Sequence, residues 1–306
     1  MILCCGESLI DMLPVATHNG ESAFLPVVGG SVFNSAVSLG RLGIQTGFFS
    51  GLSHDFFGKM LCDTLDEAKV DYSFATLSDR PTTLAFVKMV GQHAQYAFFD
   101  ENTAGRMLHE SDMPVLDEHI KALLFGCISL ISEPCGSVYE ALMTKASREN
   151  VIYLDPNIRV DFIKDRQKHL DRLSRMIRHS DIVKLSNDDL KWFADDVDEK
   201  VLAQEWLNNG AKLVVITKGA DGMVAYSQQF CVEIESEKVE IVDTVGAGDT
   251  VNAGILASLE DHGLLNKQAI TKLNEAQIYE ALHLAKQVAA ITVARAGANP
   301  PWRHEL

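Results

Sequence analysis

Continuous apolar runs of strand length recur along this chain: Met1 to Cys5, Leu123 to Ile131, Val151 to Leu154, Ile182 to Leu185 and Leu213 to Thr217, with helix-like segments between them. A strand that is apolar on both faces must be covered on both sides, so the pattern predicts a doubly wound α/β fold around a mostly parallel sheet. Two stretches have a different texture, Leu9 to Val28 and Thr83 to Phe99. In the second, Leu84 to Val90, the turn-like Gly91-Gln92-His93 and Gln95 to Phe99 read as a hairpin, either a small β-sheet of its own or an extension of the main one. After Ala257 the pattern is largely helical, and Ala281 to Ile291 is its clearest helix. Its many alanines predict close packing against a neighbour or a flat ligand. No repeat, low-complexity tract or interdomain linker interrupts the chain, which reads as one domain over 1–306 with attached segments around 9–28 and 83–99.

A hydrophobic content of 47% over 306 residues is enough for a sizeable core. The net charge of −15 argues against sequence-independent binding to nucleic acid or to an anionic membrane, both of which require basic stripes. Acidic groups such as Asp195, Asp196, Asp198 and Glu199 read as solvated faces. Six cysteines show no Cys-x-x-Cys spacing and several lie in apolar runs, which predicts buried, reduced thiols and a cytoplasmic protein. The start, Met1 to Glu7, lacks a basic segment and reads as a core strand; no apolar run is long enough to span a bilayer.

Chemistry concentrates in Val242-Asp243-Thr244-Val245-Gly246-Ala247-Gly248-Asp249-Thr250. Val239 to Val242 alternates as a strand would, and Thr250 to Leu259 reads as a buried helix, which puts Gly246, Ala247 and Gly248 at a helix N-terminus. Free N–H groups and the positive end of the helix dipole make such a turn an anion site, and small side chains let a phosphate come close. Asp249 would repel that phosphate, so its simplest role is general base for an attacking hydroxyl. As an isolated feature the segment is equally readable as a plain strand-to-helix turn. A dinucleotide fingerprint fails because Val251 stands where the third glycine is needed, and no Walker loop occurs. His109-Glu110 lacks the second histidine of a helical zinc site, and Gly51-Leu52-Ser53-His54-Asp55 lacks the closing glycine of a nucleophile elbow.

The run from Asp243 to Asp249 resembles the Asp-Thr-x-Gly-Ala-Gly-Asp signature of the ribokinase-like carbohydrate kinases, and companion motifs extend the resemblance over essentially the whole chain. It implies an ATP-dependent sugar kinase in which Asp249 is the base, Gly246, Ala247 and Gly248 are the anion hole, and the small sheet is a lid over the sugar. Asp11 and the Gly29-Gly30-Ser31-Val32-Phe33-Asn34 segment match the family's sugar-binding pattern, assigning Asp11, Gly29, Gly30 and Asn34 to the acceptor. Short polar groups suit that task because vicinal hydroxyls are told apart only by directed hydrogen bonds. Glu133 matches a position at which relatives place a sugar-contacting carboxylate.

Asp155-Pro156-Asn157-Ile158-Arg159 resembles an element of the fructokinase and ketodeoxygluconate kinase branches. Arg159 there could hold a phosphate, a substrate carboxylate or the neighbouring Asp155. In Lys184 to Asp189, Ser186 and Asp189 stand where many relatives carry Asn and a Glu acting through water on magnesium, and Lys184 is counted with this nucleotide site. Thr217, Gly219 and Gly222 match a nucleotide loop. Gly297 to Pro301 is expected to close the adenine pocket beside the helix carrying Lys286. The family also implies a monovalent-cation loop, for which Asp243 and potassium are the candidates. No basic groups accompany Asp11 and Gly29 to Asn34, which favours a free sugar. Glu7 to Pro14, Arg80 to Ala85 and Arg295 to Trp302 look like bacterial fructokinases, so D-fructose is the expected acceptor and ketodeoxygluconate the alternative. A non-catalytic sugar-binding protein would be expected to lose Asp249. A homodimer through the lid is a further expectation.

Overall fold

The computed structural model describes residues 1–90, 93–193 and 198–306. Part of the turn expected at 91–93, together with Asp195 and Asp196, lies outside the described residues. The chain opens with β1 (Ile2–Cys5), β2 (Leu9–Ala16), β3 (Ser22–Gly29), α1 (Ser31–Arg41) and β4 (Thr46–Phe49). There follow β5 (Gly51–Ser53), α2 (Phe56–Glu67), β6 (Thr76–Ser78), β7 (Leu84–Val90) and β8 (His93–Phe99). The middle carries β9 (Ala122–Gly126), α3 (Cys135–Ala146), β10 (Val151–Asp155), α4 (Arg166–His179), β11 (Ile182–Ser186) and α5 (Asn187–Phe193). The remainder is α6 (Glu199–Asn208), β12 (Leu213–Thr217), β13 (Met223–Tyr226), β14 (Cys231–Ile234), α7 (Ala247–Asp261), α8 (Lys267–Ile270) and α9 (Glu275–Val293).

An eight-stranded sheet has the order β14-β13-β12-β11-β10-β9-β1-β4. From β12 to β4 all neighbours are parallel; β13 and β14 add antiparallel at one edge. The all-apolar strands are apolar because both faces are covered. Ile2 and Cys4 of β1 face a core shared with α1, α2, α7 and α9, while Leu3 and Cys5 face one shared with α3, α4 and α6. Chain order reverses between β1 and β9, and the crevice beyond the carboxyl ends of strands at such a reversal is where α/β folds place ligands. A second sheet, β3-β2-β7-β8, corresponds to the two segments of different texture, with β2 and β7 parallel and a hairpin at each side. No described helix is long and apolar enough to cross a membrane.

Two expected strands differ. The run Leu123 to Ile131 leaves the sheet after Gly126 and turns through a 3-10 segment, Cys127–Leu130, in which Cys127 adopts φ 58°. Val239 to Val242 forms no strand: Ile241 and Val242 are exposed, and the Val242 and Asp243 N–H groups bond instead to the Val293 carbonyl at the end of α9. Alternation alone did not supply a partner strand.

The alanines of α9 serve helix packing. Gly254 of α7 crosses α9 so closely that a β-carbon there would lie 2.4 Å from the Ala285 Cα. Gly254→Ala should therefore lose about 1–3 kcal/mol despite the better helix propensity of alanine, because backbone cannot yield as a side-chain tip does. Urea unfolding of the two proteins checks this; equal midpoints would show that the helices accommodate the methyl.

Candidate active site

A cleft of about 690 Å³ opens at the carboxyl ends of β1 and β9 to β12, bounded by Asp11 and Phe98 of the small sheet. Asp249 lies in the first turn of α7 and is 7% exposed. The preceding Gly246 takes φ 79°, a left-handed conformation that glycine adopts freely. Among the described residues the Gly248 and Asp249 N–H groups have no backbone acceptor, so the turn presents donors to the cleft. Gly246 and Gly248 line the cleft, and Ala247 between them begins the helix.

Both Asp249 oxygens are held by α1. Ser31 Oγ donates to Oδ1 at 2.6 Å and Asn34 Nδ2 to Oδ2 at 2.9 Å, while Ser35 Oγ donates to the Asp249 carbonyl at 3.1 Å. Burial raises the Asp249 carboxyl above the ordinary range; the bonds from Ser31 and Asn34 oppose that, Asp155 adds to it and Lys184 opposes it.

Beneath the turn, Lys184 Nζ donates to Asp155 Oδ2 at 2.9 Å, and both groups are almost wholly buried. Burial would lower the Lys184 ammonium, but Asp155, Asp189 and Asp249 together hold it above the usual lysine range. Its Nζ stands 2.9 Å from where a Gly248 β-carbon would be, so a fixed cation underlies the glycine turn. Asn252 also donates to Asp155 Oδ2 at 2.8 Å. The Asp155–Arg159 pair allowed by the sequence does not form; Arg159 Nη1 instead donates to Asn157 Oδ1 at 2.5 Å.

At one end of the cleft stand Asp11, Gly30, Asn34 and Arg159. Gly29 lies just outside, where a β-carbon would come within 2.3 Å of Asp11 Oδ2; its lack of a side chain makes room for that carboxylate. Burial pushes the Asp11 carboxyl up to about 6. On the opposite side Lys184, Ser186, Asp189, Thr217 and Gly219 line the cleft. Asp189 is buried and accepts from Ile158 N, Ser186 N and Ser186 Oγ at 2.7–2.8 Å, so its carboxylate is committed to the protein. No described group of three or more His, Cys, Asp or Glu residues could hold a metal ion.

Four expected residues lie elsewhere. Glu133 lines a neighbouring cavity of about 790 Å³ and pairs with Arg172 at 2.5 Å and Ser137 Oγ at 2.8 Å. Gly222 packs against the Ile234 carbonyl of β14, and Lys286 faces Glu237 at 3.6 Å. Asp243 uses its two oxygens to accept from Val245 N and Gly297 N, tying the turn to the chain after α9. Ser31, Asn157 and Glu7 also belong to the cleft, although the sequence pattern gives them no role. Ser31 and Asn157 lie inside the glycine-pair and Asp155 to Arg159 motifs, and only their partners across the fold distinguish them.

A family model described as pfkB family carbohydrate kinase matches residues 1–305. The chain is 54% identical over 275 residues to a protein named fructokinase from Rhizobium leguminosarum bv. trifolii, covering 90% of this chain and 84% of that one. It is 33% identical over 312 residues to a probable fructokinase-7 from Arabidopsis thaliana, covering 98% and 89%. Among solved structures, the fructokinase with bound ATP from Xylella fastidiosa superposes with a TM-score of 0.89 at 26% identity, covering 97% of this chain and 93% of that one.

Glu7 provides a pH test. It is buried, receives long bonds from Val32 N (3.3 Å) and Ser129 N (3.4 Å), and burial outweighs its hydrogen bonds and pushes its carboxyl up to about 7 from an ordinary 4.5. The folded protein thus holds a proton that the unfolded chain has released. Stability from this group is complete below the ordinary glutamate range and is lost as pH rises through about 7. Between pH 5 and 8 the loss should be on the order of 3 kcal/mol, and Glu7→Gln should remove it. Urea unfolding across that range decides; parallel pH profiles for the two proteins would refute it.

Proposed function

The chain belongs to the pfkB family of carbohydrate kinases, and we propose that it phosphorylates D-fructose at the primary 6-hydroxyl, with Asp249 as general base. The observation that carries this is a buried carboxylate fixed between the two ends of one cleft, beside unpaired N–H donors at the start of α7. Asp11, Gly30 and Asn34 orient the sugar. The hydroxyl oxygen bonds to the γ-phosphorus of ATP, the bond from that phosphorus to the bridging oxygen breaks, and ADP leaves with the electron pair. The hydroxyl proton passes to Asp249. The Gly246 to Gly248 turn and the Lys184 ammonium stabilise the negative charge that grows on the transferred group. Magnesium would neutralise phosphate oxygens and would be held by nucleotide phosphates and water, since the Asp189 carboxylate already accepts from Ile158 and Ser186.

Fructose is supported by the name of the 54%-identical relative and by the lack of basic residues in the Asp11 and Gly29 to Asn34 segments. Arg159 at the cleft wall gives ketodeoxygluconate its case. Closure of the small sheet as a lid excludes water, which otherwise competes for the phosphoryl group. Potassium near Asp243 and a cytoplasmic setting, in keeping with six free cysteines, complete the reading.

Asp249→Asn should fold normally and lose about 10²-fold or more in turnover in a coupled ATP assay, with potassium varied in the same series. Near-wild-type turnover would remove Asp249 from the mechanism. In that assay the specificity constant for fructose should exceed those for ribose and ketodeoxygluconate; a preference for either of the others refutes the substrate but not the kinase chemistry. We further propose a homodimer through the small sheet, whose Phe24, Leu25 and Phe99 are 48%, 51% and 60% exposed. Sedimentation equilibrium should give a dimer that Leu25→Asp weakens, and a wild-type monomer would exclude it.

A further inference from the structure

We propose that Ser31 is a positioning residue for phosphoryl transfer: as the last donor in a one-way chain from Arg159 through Asn157, it holds Oδ1 of Asp249 and leaves Oδ2 to take the sugar's proton. This rests on the reading of Asp249 as base. The chain's direction follows from which groups can donate. A guanidinium never accepts, so the Asn157 oxygen must face Arg159, at 2.5 Å. The Asn157 amide nitrogen then faces Ser31 Oγ at 2.7 Å and can only donate. Ser31 has one hydrogen, and it goes to Asp249 Oδ1 at 2.6 Å. Reversing the Asn157 amide would set its NH₂ against the guanidinium and break the first link.

Asn157 holds its place with φ 41°, a left-handed conformation that asparagine tolerates better than most residues. Ser31 and Asn34 differ in what they can release. Ser31 is locked from behind by Asn157, whereas Asn34 faces the sugar end of the cleft and can exchange its bond to Oδ2 for a sugar hydroxyl. Ser35 fixes the Asp249 backbone from the same helix. The carboxylate is therefore held at one oxygen and open to substrate at the other. The charged and titratable groups facing Asp249 are Asp155, Lys184, Arg159 and Cys127, from β10, β11 and the segments after β10 and β9; α1 contributes neutral donors. Removing a donor from the ionised form makes it harder to form, so loss of the Ser31 hydroxyl raises the pH at which Asp249 ionises.

The test is a ¹³C NMR titration of the Asp249 carboxyl in the full-length, ligand-free protein, assigned by its loss in Asp249→Asn. It is paired with the pH dependence of kcat/KM for fructose. Ser31→Ala should move the Asp249 midpoint upward by up to about one pH unit and move the acid limb of the rate profile with it. It should also lower kcat about tenfold with KM for ATP unchanged. Asn157→Ala, which breaks the chain one link earlier, should produce a smaller shift in the same direction. An unmoved midpoint in both variants overturns the proposal, as does a downward shift in either. The titration does not depend on turnover: if Asp249→Asn remains active, the base assignment fails, whatever the midpoints show.

Discussion

The structure turns on one conflict: the Asp249 carboxylate is buried among groups that pull its ionisation in opposite directions. Burial alone drives Asp249 toward its neutral form, and Asp155 pushes the same way. Two hydrogen bonds from the first turn of α1, the start of α7 and the buried Lys184 ammonium pull in the other direction. Only the start of α7 belongs to the segment that carries Asp249; α1 and Lys184 reach it from elsewhere in the fold. The meeting of α1 and α7 beyond the strand reversal at β1 and β9 is what brings them together.

Lys184 and Asp155 show the same economy in the layer below. A buried ion pair contributes little net stability, because desolvation consumes much of the attraction, but its geometry is tightly set. Here it places one positive charge against Gly248 without exposing a flexible lysine to the cleft. Parallel strands supply the rigidity, since Lys184 on β11 and Asp155 on β10 extend from neighbouring strands of the sheet.

The parallel sheet was legible because residues such as Ile152 and Val215 have no solvent face to encode, and the small sheet because its texture differs. Asp249 was legible because glycines next to it announce a backbone that must stay open. Ser31 and Asn157 were not, since a serine and an asparagine acquire meaning only from partners more than a hundred residues away. Arg159 stands four residues after Asp155 and could have paired with it; Asp155 instead holds the Lys184 ammonium, a competitor that exists only after folding. Strand ends failed for a related reason: the apolar run beyond Gly126 continues into a buried turn, so hydrophobicity does not mark where pairing stops.

The attachment of the segment after β14 to α9 has a mechanical consequence. Val293 accepts from the Val242 and Asp243 N–H groups, and Asp243 in turn grips the Gly297 amide, so the glycine turn hangs from the end of a 19-residue helix. At about 1.5 Å per residue that helix is a rod roughly 28 Å long, clamped along its length by α7. The glycine turn is therefore fixed by two packed helices, α7 that carries it and α9 that anchors it, and owes little to the largely exposed strap at 235–242 that leads into it.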